Sequence, residues 1–118
     1  MIVKVLTYNL RRGTNKFGEY TLDKMIDFIS NLKPDLSGLQ EVDRFAKRSG
    51  FDDQVQKIKN SLSYNTEYAP SLTLLPEDKK MPKREYCLMC LSRFPIIKSK
   101  QHLLRKSKEL LSVSGRNM

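Results

Sequence analysis

The sequence predicts an α/β protein, and three stretches carry that prediction. Residues 2–8 are a near-continuous apolar, β-branched run interrupted only by Lys4, the composition of a strand. Leu22, Met25, Ile26, Ile29 and Leu32 then recur at helical spacing up to a Lys33-Pro34 stop, as one apolar helix face requires. From Pro34 to Asp43 the chain reads as a short strand, with Leu36 and Leu39 for apolar bulk and Gln40, Glu41 and Asp43 at its end. Strand, helix and strand in this order make a βαβ-like opening, whose crossover sets both strand ends on one rim. That rim brings Asn9 near Glu41, at the edge where open α/β sheets place ligand chemistry.

In order along the chain, the first run is expected to be buried on both faces. Leu10 to Asn15 is a loop, since Gly13 and Asn15 suit turns and Arg11 and Arg12 prefer water. Thr21 is the N-cap expected for a helix over 22–32. Beyond a basic segment from Arg44 to Gly50, Phe51, Val55, Ile58 and Leu62 predict a second helix over 51–62, with Asp52 and Asp53 in its first turn. Residues 64–69 read as a strand, and 70–84, with three prolines, three lysines and Arg84, as a surface excursion. Glu85 to Ser92 is a further strand closed by a hairpin or sharp bend at Pro95, and Leu110 to Val113 a last short one.

Composition narrows the class. At 118 residues, 39% apolar and 30% charged, the chain holds one soluble domain with one modest core. No apolar run is long enough to span a bilayer. Met1 leads directly into Ile2-Val3-Lys4-Val5-Leu6 without the basic start of a secretory signal, so a cytoplasmic location is expected. Lys and Arg number 22 against 13 Asp and Glu, a net charge of +9, which favours an anionic partner such as a phosphate ester or nucleic acid. A Lys-rich solvated surface explains the same number equally well.

Three pieces stand in order: Leu6-Thr7-Tyr8-Asn9-Leu10, Gly38-Leu39-Gln40-Glu41-Val42-Asp43-Arg44, and Glu85-Tyr86 leading into Leu91-Ser92-Arg93-Phe94-Pro95-Ile96. Together with Arg48-Ser49-Gly50 and Asp53-Gln54, they resemble the endonuclease/exonuclease/phosphatase superfamily, in particular its small bacterial metal-dependent hydrolases. The resemblance covers residues 2–98, leaving a basic tail over 98–118. It implies the N-terminal part of a four-layer α/β/β/α sandwich, so that 1–118 is a single, incomplete domain. It also implies a Mg²⁺- or Mn²⁺-dependent phosphoesterase. The catalytic and metal-binding roles fall on Glu41, which would hold the ion, and on Asn9, which would help place ion and phosphate. Arg11, Arg12 and Arg44 are weaker candidates for the substrate phosphate. A hard cation with one or two carboxylates, waters and substrate phosphate is consistent with that donor set.

The departures are as informative. The family's later Asp-x-Asn and Ser-Asp-His motifs do not occur in these residues, and the only histidine, His102, matches no family motif. The chain is therefore expected to be weakly active or inactive by itself, and an exposed sheet edge is expected to favour self-association. The alternative is a non-enzymatic anion- or nucleic-acid-binding fragment, with Arg11, Arg12, Lys47, Arg48 and residues 98–108 against phosphates. Cys87 and Cys90 have Cys-x-x-Cys spacing but fall inside a predicted strand, so buried, inert thiols are expected. Neither a serine-nucleophile elbow nor a Gly-x-x-x-x-Gly-Lys loop is present.

Overall fold

A computed structural model describes residues 1–103; the strand expected at Leu110 to Val113 and most of the basic tail lie outside the described residues. Four strands make one mixed sheet: β1 (Val5–Asn9), β2 (Leu36–Arg44), β3 (Asn65–Leu74) and β4 (Arg84–Ser92), in the order β1-β2-β4-β3. β1 and β2 are parallel, joined by the crossover helix α1 (Leu22–Leu32), while β4 runs antiparallel to both β2 and β3. The second helix, α2 (Gln54–Ser61), links β2 to β3.

One core accounts for the packing. Met25, Ile26 and Ile29 of α1 and Val55 and Ile58 of α2 meet Leu39, Val42, Cys87, Met89 and Leu91 of the sheet. Full burial of a side chain such as Ile29 or Leu91 contributes about 2 kcal/mol. α1 has the bounds its periodicity predicts. Thr21 occupies the N-cap, but its hydroxyl makes no capping bond; the helix ends on Lys33 in the left-handed region, its N–H returning to the Ile29 carbonyl. α2 starts later than the apolar spacing suggests, because Asp53 caps it by accepting from Gln56 N–H at 3.1 Å. Phe51, with φ of 60°, lies outside it.

Three expectations need correction. β1 is not buried on both faces: Leu6 and Tyr8 pack on the core, while Val5, Thr7 and Asn9 are exposed on the opposite face of an edge strand. β3 does not end at residue 69 but continues to Leu74, passing Pro70 through a register shift before Leu72. A proline is tolerated there because β3 is also an edge and one extra residue relieves the ladder. Cys90 is exposed. Residues three apart on a regular strand face opposite sides, so only Cys87 enters the core, where burial pushes its thiol up to about 12. After β4 the chain bends at Arg93-Phe94 with no hairpin partner among the described residues. None of the helices among those residues is long and apolar enough to cross a membrane.

Candidate active site

The carboxyl ends of β1 and β2 lie side by side, Asn9 opposite Gln40, and the Leu10 N–H donates to the Gln40 carbonyl at 2.9 Å. Beyond Leu10 the chain turns through a single 3-10 turn, Arg11–Gly13, in which Arg11 and Arg12 both take positive φ. Gly13 is required here. Its φ is +81°, and a Cβ would lie 2.6 Å from the Tyr20 ring.

β2 carries one extra residue between Leu39 and Val42, which pair with Met89 and Cys87. Glu41 sits in this bulge with φ of 56°. A left-handed glutamate costs on the order of 1 kcal/mol and persists only where its surroundings hold it; bulges of this kind re-aim a side chain. Glu41 is re-aimed at Asn9, whose Nδ2 donates to Oε2, while Asn9 Oδ1 accepts from the Arg11 backbone N–H at 2.9 Å. The asparagine thus locks loop and bulge together. Hydrogen bonding from Asn9, then from the Tyr86 hydroxyl, holds the Glu41 carboxyl below the usual carboxylate range, with a smaller contribution from the nearby arginines. The reciprocal effect, added to burial, pushes the Tyr86 phenol up to about 12. Arg12 Nη1 stands 3.9 Å from Glu41 Oε1. The result is a partly exposed carboxylate, ionised at neutral pH and facing solvent.

A buried network supports this edge. Asp43 is fully buried and accepts from Arg48 through Nε and Nη2 at 3.0 and 2.9 Å and from Ser49 Oγ at 3.1 Å. Arg48 in turn stacks on Tyr86, 5.2 Å from the ring centroid. Gln54, also fully buried, accepts from Asp43 N–H at 2.8 Å and donates to the Arg12 carbonyl at 2.9 Å, pinning the left-handed arginine turn to β2. The Arg44 guanidinium is committed to Asp53, Glu85 and the Tyr68 hydroxyl. Arg12 and Tyr86, the neighbours of Glu41, also line a cavity of about 500 Å³ together with Arg48 and Arg84.

The structure therefore brings Asn9, Glu41, Arg11 and Arg12 together and places Arg44 in an internal ion-pair network. His102 is exposed near the end of the described residues. Tyr86, Asp43, Gln54 and Arg84 join the site without a role predicted from the sequence. Tyr86 had a detectable signal, lying inside the third matching piece; Arg84 had none, since it stood in a stretch read as irregular.

Comparison with known proteins gives the family and the fold. The family model described as the C-terminal nuclease-like domain of PGAP2IP matches residues 2–113. The chain belongs to this nuclease-like family. It is thereby a member of the endonuclease/exonuclease/phosphatase superfamily, whose fold it shares with a crystal structure of an endonuclease/exonuclease/phosphatase from Beutenbergia cavernae DSM 12333, at a TM-score of 0.67 and 23% identity. That match covers 82% of this chain and 27% of the bacterial one, so the present chain spans about a quarter of that structure. No curated protein matches the chain. The mixed sheet and two helices of this nuclease-like chain correspond to part of the superfamily fold.

Proposed function

We propose that the chain carries one half of a metal-dependent phosphoesterase site, acting on phosphodiesters or phosphomonoesters. The observation that supports this most directly is Glu41: an ionised carboxylate held in a left-handed bulge by Asn9 and Tyr86, beside an arginine-lined cavity. Among the described residues no three His, Cys, Asp or Glu side chains cluster. The donor set suits a hard ion that keeps several waters, Mg²⁺ or Mn²⁺, with Glu41 as its carboxylate and substrate phosphate completing the shell. Such an ion, when bound, offsets charge on the phosphoryl oxygens.

The chain's own residues do the rest. Asn9 fixes the Glu41 rotamer and, through Oδ1, the arginine turn. Arg11 and Arg12 supply positive charge at the rim, and Tyr86 presents a phenol that stays protonated at neutral pH. The superfamily's Asp-x-Asn and Ser-Asp-His motifs, which serve to activate water, do not occur in the 118 residues. Loss of general-base assistance costs about 10²- to 10⁴-fold. The isolated chain is thus a binder of ion and phosphate with little turnover.

Calorimetric titration of Mn²⁺ into wild type and Glu41→Ala tests this, with an affinity at least about tenfold lower expected in the variant. Equal binding by the two proteins overturns the metal assignment. A second reading, an anion-binding fragment without an ion, is favoured by the three arginines of the cavity and the +9 charge. Phosphodiester hydrolysis that requires both Mg²⁺ and Glu41 rejects it.

A further inference from the structure

The cavity next to Glu41 is larger than one phosphate needs, and its wall is amphipathic. Leu72 and Leu74 of β3 form one side, while Arg12, Arg48 and Arg84 project from three different elements. The volume of about 500 Å³ falls within the range of small-ligand pockets. The two carboxylates in the wall are already engaged, Asp43 by Arg48 and Glu85 by Arg44. Arg48 spends Nε and Nη2 on Asp43, leaving Nη1 without a partner among the described residues. Arg84 donates Nε to the Leu75 carbonyl at 2.9 Å and stands 3.5 Å from Glu77, a long and partly exposed ion pair. Donors remain on both for an anion. Tyr86 joins the two compartments, its ring under Arg48 and its hydroxyl toward Glu41.

We propose that this cavity is a subsite for a second phosphate group of the substrate, held by Arg84 and Arg48 while the reacting phosphate lies at Glu41. This inference rests on the phosphoesterase reading and names its substrate class: esters carrying two phosphates, or a phosphodiester with a neighbouring phosphate. Guanidinium groups suit the role because they present several donors in a fixed plane to phosphate oxygens. The bond to Asp43 and the stack on Tyr86 orient Arg48 before any ligand arrives, which lowers the ordering cost of binding.

The test is run without divalent ion, in chelator, so that it does not depend on Glu41. Affinities of the 118-residue chain are measured for fructose 1,6-bisphosphate against fructose 6-phosphate, and for a thymidine dinucleotide with and without a 5′-phosphate. At least one doubly phosphorylated probe should bind about tenfold tighter than its counterpart. Whichever pair shows the preference identifies a sugar-type or a nucleic-acid-type source. Arg84→Gln, which leaves the Asp43 network intact, should abolish the preference, whereas Lys24→Gln on the exposed face of α1 should retain it. Equal binding within both pairs, or equal loss in the two variants, overturns the subsite. Failure of Mn²⁺ binding with the preference intact would instead count against the ion at Glu41 alone.

Discussion

Asp35 and Glu41 flank the part of β2 that pairs with β1, Leu36 to Gln40, and both carboxylates are held below their usual range, yet the two ends of this pairing are built for different work. At the amino end, Asp35 accepts from the Lys4 backbone N–H at 2.7 Å and pairs with Arg93 at 2.7 Å; Lys4 Nζ donates to the Leu32 carbonyl at the close of α1. The hydrogen bond from Lys4 is the main cause of the low Asp35 pKa, with Arg93 adding to it. Every partner there ties chain to chain, and none of Lys4, Asp35 and Arg93 takes a positive φ. At the carboxyl end, Glu41 is lowered by two side chains, Asn9 and Tyr86, on a left-handed residue beside a cavity. A depressed carboxylate therefore marks neither function nor structure by itself. Backbone strain, with neighbours that line a cavity, is what separates the two ends.

The largest effect that would sharpen this contrast is expected at Asp43, whose removal leaves Arg48, Ser49 and the Tyr86 stack without their anchor. Asp43→Ala should lower stability by about 3 kcal/mol in urea unfolding, and loss of under about 1 kcal/mol would show that the carboxyl end is not held by this network. Next is the strain itself. Glu41→Gly and Glu41→Ala both discard the carboxylate, but only glycine is at ease at φ of 56°, so the glycine variant should be more stable by about 1 kcal/mol. Equal stability of the two would mean that the bulge stores no strain.

The smallest effect is in acid. Both Asp35 and Glu41 have folded pKa values below their unfolded ones, so the stability they contribute is present above the ordinary carboxylate pKa of about 4 and is lost as pH falls through the lower folded values. Asp35→Asn and Glu41→Gln should each flatten the acid limb of a pH-dependent unfolding curve below about pH 4 and leave its neutral region unchanged in slope. A variant whose acid limb is as steep as wild type would remove its carboxylate from the comparison.

Much of this was legible in the residues. α1 appears with the bounds its periodicity predicts, because five apolar positions and a Lys-Pro stop agree on one helix face. Asn9 and Glu41 come together because a parallel βαβ unit allows little else. What escaped detection depends on long-range partners. Nothing local distinguishes Asp43, fully buried, from a solvated strand-end carboxylate; its partners Arg48, Ser49 and Gln54 belong to the turn and helix beyond β2. The left-handed state of Glu41 is equally silent, since glutamate has no preference for it. The extension of β3 past Pro70 is hidden in the sequence because proline is a strand breaker in general and harmless at an edge in particular.

The bulge in β2 has one more effect. Along a regular strand, odd and even positions keep their sides, but here Leu39 and Val42, three apart, both enter the core. The extra residue shifts the phase of the strand by one position. Residues before it obey one alternation and residues after it the other, which is how Asp43 shares a rung with Tyr86, where the unshifted register of Leu39 with Met89 would set it opposite Glu85. A relative with one residue fewer at this point would exchange inside for outside over the rest of the strand. Length, as much as residue identity, is under constraint between Leu39 and Val42.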